Sequence, residues 1–461
     1  MKSLRSVSKG AFNYKKITNC RNIFKDTKFY PHQPIDQIRE QPLTHATVCV
    51  KCQLKLRREN KPYPTCPSEC RSIVKNVYTS KRLTLRDLPG IWHYNWLPVK
   101  KPSDYAQRSV TYKSKYFSKE LGLENLYVSF TGFWPEVKAY VGTGTFKELE
   151  AVVAIQYAKE NGVNRLISAS AGSAARAFAY IASREKFNVV LVIPEKVTEE
   201  MVVPMVDEKY VKTLAVRGDY CDAITYADKL HDSTGIAHDG GGRNPARRDA
   251  LGTILLEAVE KIGFMPNHYF QAISSGAGAI ATFEAADRLV GDGRFGKVYP
   301  KLHISQNEPF TPMVKAWTAR SRTIESCDVE PENVLDVIYA KVLSNKKPLY
   351  GLSGGVFDAL EATSGEAYGV TNREAEDTSK LFERLEGIDI HPAAAVATAS
   401  LIKSVDQGKI GPKETVMLNI SGGGLRRAEK ELGKQRIPIT IEVDKDSPPE
   451  ELRDILHENL S

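Results

Sequence analysis

Asn188-Val189-Val190-Leu191-Val192-Ile193-Pro194 is apolar after its first residue, the pattern of a strand covered on both faces and hence of a largely parallel sheet. Ahead of it, Ala175 to Lys186 reads as a helix, preceded by a loop of small residues, Ser170-Ala171-Gly172-Ser173-Ala174. A strand, Arg165-Leu166-Ile167-Ser168-Ala169, feeds that loop. On the other side come a strand at Val211-Lys212-Thr213-Leu214-Ala215-Val216 and a helix from Tyr220 to Leu230. Strand, helix and strand in alternation imply a doubly wound α/β fold.

Outward from this unit, the strand Leu126-Tyr127-Val128-Ser129-Phe130 leads to Gly142-Thr143-Gly144-Thr145-Phe146-Lys147-Glu148-Leu149-Glu150. Thr145 as N-cap and Glu148 three residues on predict a capping box and a helix from Phe146 to about Glu160. Lys147 then sits on the first turn, where the helix dipole and any desolvation both disfavour the charged amine. A neutral amine is a nucleophile for a carbonyl cofactor, of which pyridoxal phosphate is the commonest. A solvated surface lysine is the plainer reading of that position taken alone. A phosphate loop of the Walker kind is excluded, because Phe146-Lys147-Glu148 lacks Gly-Lys-Ser/Thr.

The strand-loop-helix theme returns downstream. Pro245 opens a helix to about Lys261; Tyr269 to Ile273 reads as a strand, Ser274-Ser275-Gly276-Ala277-Gly278-Ala279 as a loop, and Ile280 to Val290 as a helix. Small residues feeding a helix start can cradle an anion on free N–H groups, or can simply pack tightly. An alanine-rich helix, Ala393 to Lys403, precedes the buried strand Thr415 to Ile420 and the turn Ser421-Gly422-Gly423-Gly424, where the Ser421 hydroxyl can meet a ligand at the carboxyl ends of the sheet. A strand from Ile437 to Val443 and a helix from Pro448 to Asn459 close the chain.

The 461 residues are 42% hydrophobic and 26% charged, with no apolar run long enough to span a membrane. Residues 1–100 carry 20 Lys and Arg against 6 Asp and Glu, leaving 44 against 50 in the rest, so the net charge of +8 belongs to the N-terminal part. The main body is mildly acidic, and no nucleic-acid or membrane partner is expected. Residues 1–40 form a basic extension, with seven basic and no acidic side chains in the first 25. That composition fits either a disordered tail on a cytoplasmic protein or a mitochondrial or plastid targeting segment. Seven cysteines, four of them clustered, do not make a secreted disulfide framework. Cys49 and Cys52, then Cys66 and Cys70, have zinc-ribbon spacing; residues 41–76 are read as a zinc-ribbon-like segment around one closed structural zinc, or as its metal-free remnant. Residues 77–461 are read as the main folded region, expected to be catalytic, with a smaller inserted domain expected at about 148–235.

The lysine helix, the small-residue loops at 170 and 275 and the terminal Ser-Gly-Gly-Gly, in this order, resemble fold-type II pyridoxal-phosphate enzymes, the threonine synthase and cysteine synthase group. That group has tryptophan synthase β-like architecture, two domains of doubly wound sheet. Thr145 to Ala151, Pro89-Gly90-Ile91-Trp92, Asn95-Trp96-Leu97-Pro98, Ala246-Arg247-Arg248-Asp249, Asp292-Gly293-Arg294-Phe295-Gly296 and Glu386 to Ile390 are similar to its cysteate synthase branch, as are the leading cysteine pairs. The resemblance implies that Lys147 joins the cofactor and shuttles protons. It implies that Ser173 contacts the ring, where asparagine is usual. Ser275, Gly276, Ala277, Gly278 and Ala279 would bind the cofactor phosphate, and Ser421 the pyridine nitrogen. Ser170, Ala171, Gly172 and Ala174 would hold the substrate carboxylate.

The activity so implied is β-replacement on a phosphorylated amino acid by a small nucleophile, O-phospho-L-serine and sulfite giving L-cysteate and phosphate. Threonine synthase chemistry on O-phosphohomoserine is the alternative enzyme; a zinc-ribbon pseudoenzyme is the alternative of another class, against which the retained Lys147 argues. Assembly as a homo-oligomer stays open. The substrate's phosphate is expected near Asn244 and Arg247, since Gly240, Gly241 and Gly242 allow close approach and Pro245 at N1 leaves N–H groups free. The competing reading puts Arg243, Arg247 and Arg248 on a solvated helix face.

Overall fold

A computed structural model describes residues 45–56, 65–68, 70–329 and 334–452. The basic extension expected at 1–40 lies outside them. Strands β1 (His45–Cys49), β2 (Lys55–Leu56) and β3 (Val74–Tyr78) form an antiparallel sheet in the order β2-β1-β3. A six-stranded sheet is built from β4 (Val110–Lys113), β5 (Asn125–Phe130), β10 (His268–Ala272), β11 (Lys301–Asn307), β12 (Glu366–Val370) and β13 (Thr415–Ile420). Its order is β12-β11-β10-β13-β5-β4, parallel except for β4. A five-stranded parallel sheet uses β6 (Arg165–Ala169), β7 (Asn188–Pro194), β8 (Val211–Arg217), β9 (Ala237–His238) and β14 (Ile441–Asp444), in the order β9-β6-β7-β8-β14.

The apolar runs read as two-sided strands are so placed. All six residues of β13 are buried, as are the last six of β7. Helices α1 (Lys147–Glu160), α4 (Pro245–Ile262) and α5 (Ala277–Asp292) pack together, α4 lying against both others, while α7 (Pro392–Asp406) packs across β10, β11, β12 and β13. Helix α2 (Ser173–Glu185) lies on β7 beside α1, and α3 (Tyr220–Thr234) on β6 and β7. The caps explain several of these limits. Asp219 and Asp222 make a capping box at α3, and Asn244 accepts from Ala246 N–H ahead of Pro245 at α4. Thr371 and Glu374 do the same for α6 (Asn372–Glu386).

Two expectations are corrected, and a third lies mostly outside the described residues. Glu148 does not close a box on Thr145; its buried carboxylate reaches back to the N–H groups of Gly142 (3.1 Å) and Thr143 (2.6 Å), and Thr145 Oγ1 accepts from Lys147 N–H instead. The last strand is Ile441–Asp444, pairing with β8, and not Ile437 to Val443. The closing helix is described only as a 3-10 turn, Pro449–Leu452; the remainder lies outside the described residues. Among the described residues no helix is long and apolar enough to cross a membrane.

Candidate active site

The carboxyl ends of β10 and β13 face one cavity, the position where open parallel sheets bind ligands. The loops around it are laced together. Phe146 N–H donates to Ser421 O (2.9 Å), Gly423 N–H to Gly144 O (3.0 Å) and His391 N–H to Gly422 O (2.9 Å). Backbone pairing therefore brings the lysine loop and the Ser-Gly-Gly-Gly turn, 274 residues apart at Lys147 and Ser421, into contact.

Lys147, Ser173, Ser275, Gly276, Ala277, Gly278 and Ser421 all line this cavity. Ala279 does not; it is fully buried one step further into α5. Helix α5 starts three residues earlier than Ile280, so its first turn is the small-residue loop itself. The first bond within the helix runs from Ile280 N–H to Gly276 O, so the N–H groups before Ile280 have no partner inside the helix. Gly276 has φ +87°, and a Cβ there would stand 2.3 Å from Val356 Cγ2. A Cβ on Gly278 would stand 1.9 Å from Gln271 Nε2, so a larger residue there would displace the Gln271 amide. Ala277 N–H reaches Ser275 Oγ at 3.4 Å, and a helix start whose N–H groups have no helical partner suits a phosphate.

Lys147 Nζ is 2.8 Å from Glu150 Oε1 and lies over the Phe146 ring at 4.8 Å. The first-turn amine thus has a carboxylate beside it, set against the helix dipole. Its partner is fully buried; burial raises the Glu150 carboxyl, but Arg247 and Lys147 outweigh burial and hold it below the ordinary range.

The expected substrate contacts lie apart from this lining. Ser170, Ala171, Gly172 and Ala174 are outside the cavity lining, and Ser170 Oγ is engaged by Gly172 N–H at 3.1 Å. Asn244 and Arg247 are outside it too. Asn244 caps α4 and donates to Asp239 O (2.9 Å), while Arg247 bonds Asp239 Oδ2 at 2.6 Å and Glu150 Oε1 at 2.8 Å. Of the solvated face only Arg243 remains, which is exposed; Arg247 is 5% and Arg248 0% exposed. Two buried carboxylates take the terminal nitrogens Nη1 and Nη2 of Arg247.

Sequence reasoning missed Thr145, Gln271, Val342, Leu343, His391 and Ala393 in the lining. His391 accepts from Ala393 N–H through Nδ1 as the N-cap of α7, which leaves Nε2 to carry the ring proton. Burial, with Arg176 second, pushes this imidazole down to about 3, so it is a neutral donor. The pattern His391-Pro392, a cap residue ahead of a proline at N1, was the available signal.

Cys49, Cys52, Cys66 and Cys70 come together, their sulfurs all within 4.8 Å of one another. Tetrahedral Zn–S bonds of about 2.3 Å place sulfurs about 3.8 Å apart, and Cys52 Sγ and Cys66 Sγ stand at 3.6 Å. Burial would raise the Cys49 thiol, but hydrogen bonds, that of the Cys52 backbone foremost, bring it down to about 6. The four cysteines can therefore hold one metal such as zinc. Metal analysis of purified protein is expected to give about one Zn2+ per chain. Cys52→Ser should lose it and lower stability more than it lowers turnover of the folded fraction; a native protein free of metal would refute this.

Residues 109–422 match the pyridoxal-phosphate dependent enzyme family. The chain is 41% identical over 411 residues to the cysteate synthase of Methanosarcina barkeri, covering 88% of this chain and 98% of that one. With the cysteate synthase of Methanocella paludicola the identity is 44% over 387 residues, covering 82% and 90%. In fold it is similar to a pyridoxal 5'-phosphate-dependent aspartate racemase, with TM-score 0.54, 17% identity, and 68% and 90% of the two chains covered. Maize serine racemase gives TM-score 0.51 at 14% identity, with 68% and 88% covered.

Proposed function

The chain belongs to the pyridoxal-phosphate dependent enzyme family, and on that premise we propose that it replaces the phosphate of O-phospho-L-serine with sulfite, yielding L-cysteate and phosphate. The observation that carries this reading is the meeting of Lys147, the start of α5 and Ser421 on one cavity, in a chain that covers 98% of a cysteate synthase. The donor set fits the cofactor: Lys147 for its aldehyde, the N–H groups of Gly276, Ala277 and Gly278 for its phosphate, and Ser421 for its ring nitrogen.

Pyridoxal phosphate, when bound, supplies the electron sink that lets an amino acid lose its Cα proton and a group on Cβ. The chain does the rest. Lys147 takes the Cα proton and returns it to the same carbon after replacement. At Cβ the C–O bond breaks with its electron pair leaving on phosphate, and the sulfur lone pair of sulfite forms the C–S bond. Ser421 offers the ring a neutral hydroxyl and no carboxylate, so it does not enforce a ring proton, which suits replacement at Cβ. His391 adds a neutral donor beside Ser421 and brings no second cation next to Lys147. Ser173 presents a hydroxyl at the start of α2.

Product analysis tests the proposal. With added cofactor, O-phospho-L-serine and a choice of sulfite, sulfide or water, the protein is expected to form L-cysteate and release one phosphate for each. Threonine formed from O-phosphohomoserine, with no cysteate from O-phospho-L-serine, would overturn it in favour of threonine synthase chemistry.

A further inference from the structure

Glu150 lies one turn into α1, fully buried where that helix meets α4. Its Oε1 accepts from two cations, Lys147 Nζ and Arg247 Nη2, each at 2.8 Å. Arg247 Nη1 is in turn 2.6 Å from Asp239 Oδ2, which also accepts from Ser168 Oγ at 2.6 Å, while Asp239 Oδ1 accepts from Gly241 N–H at 2.8 Å. Four charges thus alternate in a row: Asp239, Arg247, Glu150 and Lys147. The first three are at most 5% exposed and tied at both ends. Lys147 alone of the four lines the cavity, its side chain 20% exposed.

One further atom matters. Glu150 Oε2 is buried without a hydrogen-bond partner. A carboxylate serving only to neutralise an arginine is satisfied best by a two-pronged pairing, one N–H to each oxygen. Arg247 instead divides its prongs between Asp239 and Glu150, which leaves Glu150 with acceptor capacity that the other N–H donors of a lysine ammonium can use.

We propose that Glu150 is a positioning residue that holds the Lys147 ammonium at the cavity whenever the amine is not joined to the cofactor. This rests on Lys147 being the cofactor lysine. Such a lysine leaves the cofactor in every turnover and must come back to it. A flexible four-carbon side chain released into an open cavity would have many rotamers to search; a fixed buried anion one helical turn away selects one.

The test uses full-length protein in two states. Borohydride reduction of the cofactor-loaded wild type and of Glu150→Gln, followed by peptide mapping, is expected to label Lys147 in both; label on another lysine means that the assignment of Lys147 has failed. In cofactor-free protein at neutral pH, reductive methylation with formaldehyde and cyanoborohydride is followed at Lys147 by mass spectrometry. Loss of the counter-charge in Glu150→Gln is expected to speed methylation of Lys147 roughly tenfold, the scale of one charge-assisted contact. Glu150→Asp, charged but one methylene shorter, should give an intermediate rate and decides the matter if the glutamine variant does not fold. Asp239→Asn, which weakens the same row without touching Lys147, should leave the rate near that of wild type. With Lys147 labelled by borohydride, an unchanged methylation rate in the Glu150 variants, or an equal rise in Asp239→Asn, would show that Glu150 serves Arg247 alone and overturn the proposal.

Discussion

Lys147→Ala is expected to lower turnover by roughly 10³-fold or more, because one amine both engages the cofactor and moves the substrate proton. The loss should come without unfolding. Helix α1 starts on backbone bonds and on Thr145 Oγ1, neither of which uses the lysine side chain, and Arg247 keeps both of its carboxylates. Lys147→Arg separates charge from chemistry: it keeps a cation for Glu150 but has no amine that condenses with an aldehyde. The arginine variant should be as inactive as the alanine variant, with stability nearer to wild type. The measurement is phosphate release from O-phospho-L-serine alongside a thermal melt. Turnover within tenfold of wild type in the alanine variant would remove Lys147 from the chemistry.

The parts of the fold that were legible in sequence are those whose burial is apolar. Strand β7 and strand β13 have limits that match the expected ones, because six of the seven residues of β7 and four of the six of β13 are apolar. Strand β11 gave no such run. Its His303, Ser305, Gln306 and Asn307 are all fully buried, yet three of them have dedicated partners: His303 Nε2 pairs with His268 Nδ1 at 2.9 Å, Gln306 Oε1 accepts from Met313 N–H at 2.8 Å, and Asn307 Nδ2 donates to Val370 O at 3.0 Å. Burial of that kind depends on residues far away in the chain, which no local period reports. Helices α2 and α5 were read as starting too late for a different reason. Both follow glycine, Gly172 and Gly276, and neither has the side-chain cap that announces a helix.

In the site, the lysine loop and the small-residue turns were legible because glycine and small residues mark close backbone approach. Glu150 was not. An acidic residue in a first turn reads as a solvated partner of the helix dipole, and only the packing of α1 on α4 shows it to be buried between two cations. The same packing explains why Arg247 was taken for a phosphate ligand: a basic side chain near a helix start looks free until its carboxylates, 97 residues and 8 residues away, are known.

Asp249→Ala is expected to cost about 3 to 5 kcal/mol, the scale for removing one partner of a buried ion pair. Arg247, Arg248 and Asp249 follow one another on α4, and steps of about 100° send them to different neighbours. Arg247 reaches Glu150 beside Lys147, whereas Arg248 pairs with Glu284 at 3.1 Å and donates to Val74 O on β3. Asp249, 1% exposed, accepts from Asn76 Nδ2 and Tyr78 Oη on β3, both at 2.7 Å, and pairs with Arg288 of α5. Asn76 Oδ1 in turn accepts from Thr47 Oγ1 on β1 at 2.8 Å, so Asp249 ties the sheet that carries the cysteines to the helix that carries Arg247. Alanine would leave an amide, a phenol and a guanidinium buried without an acceptor. Asp249→Asn keeps an acceptor oxygen but not the charge opposite Arg288, and should lose less. Urea unfolding followed together with metal content distinguishes the outcomes: the alanine variant should release its metal before the main transition, because the cysteine sheet is undocked first. If instead stability falls by less than about 1 kcal/mol, the size of an exposed pair, the sheet is held by the apolar contacts of Ile73 and Tyr78 with the main core, and the polar row contributes only alignment.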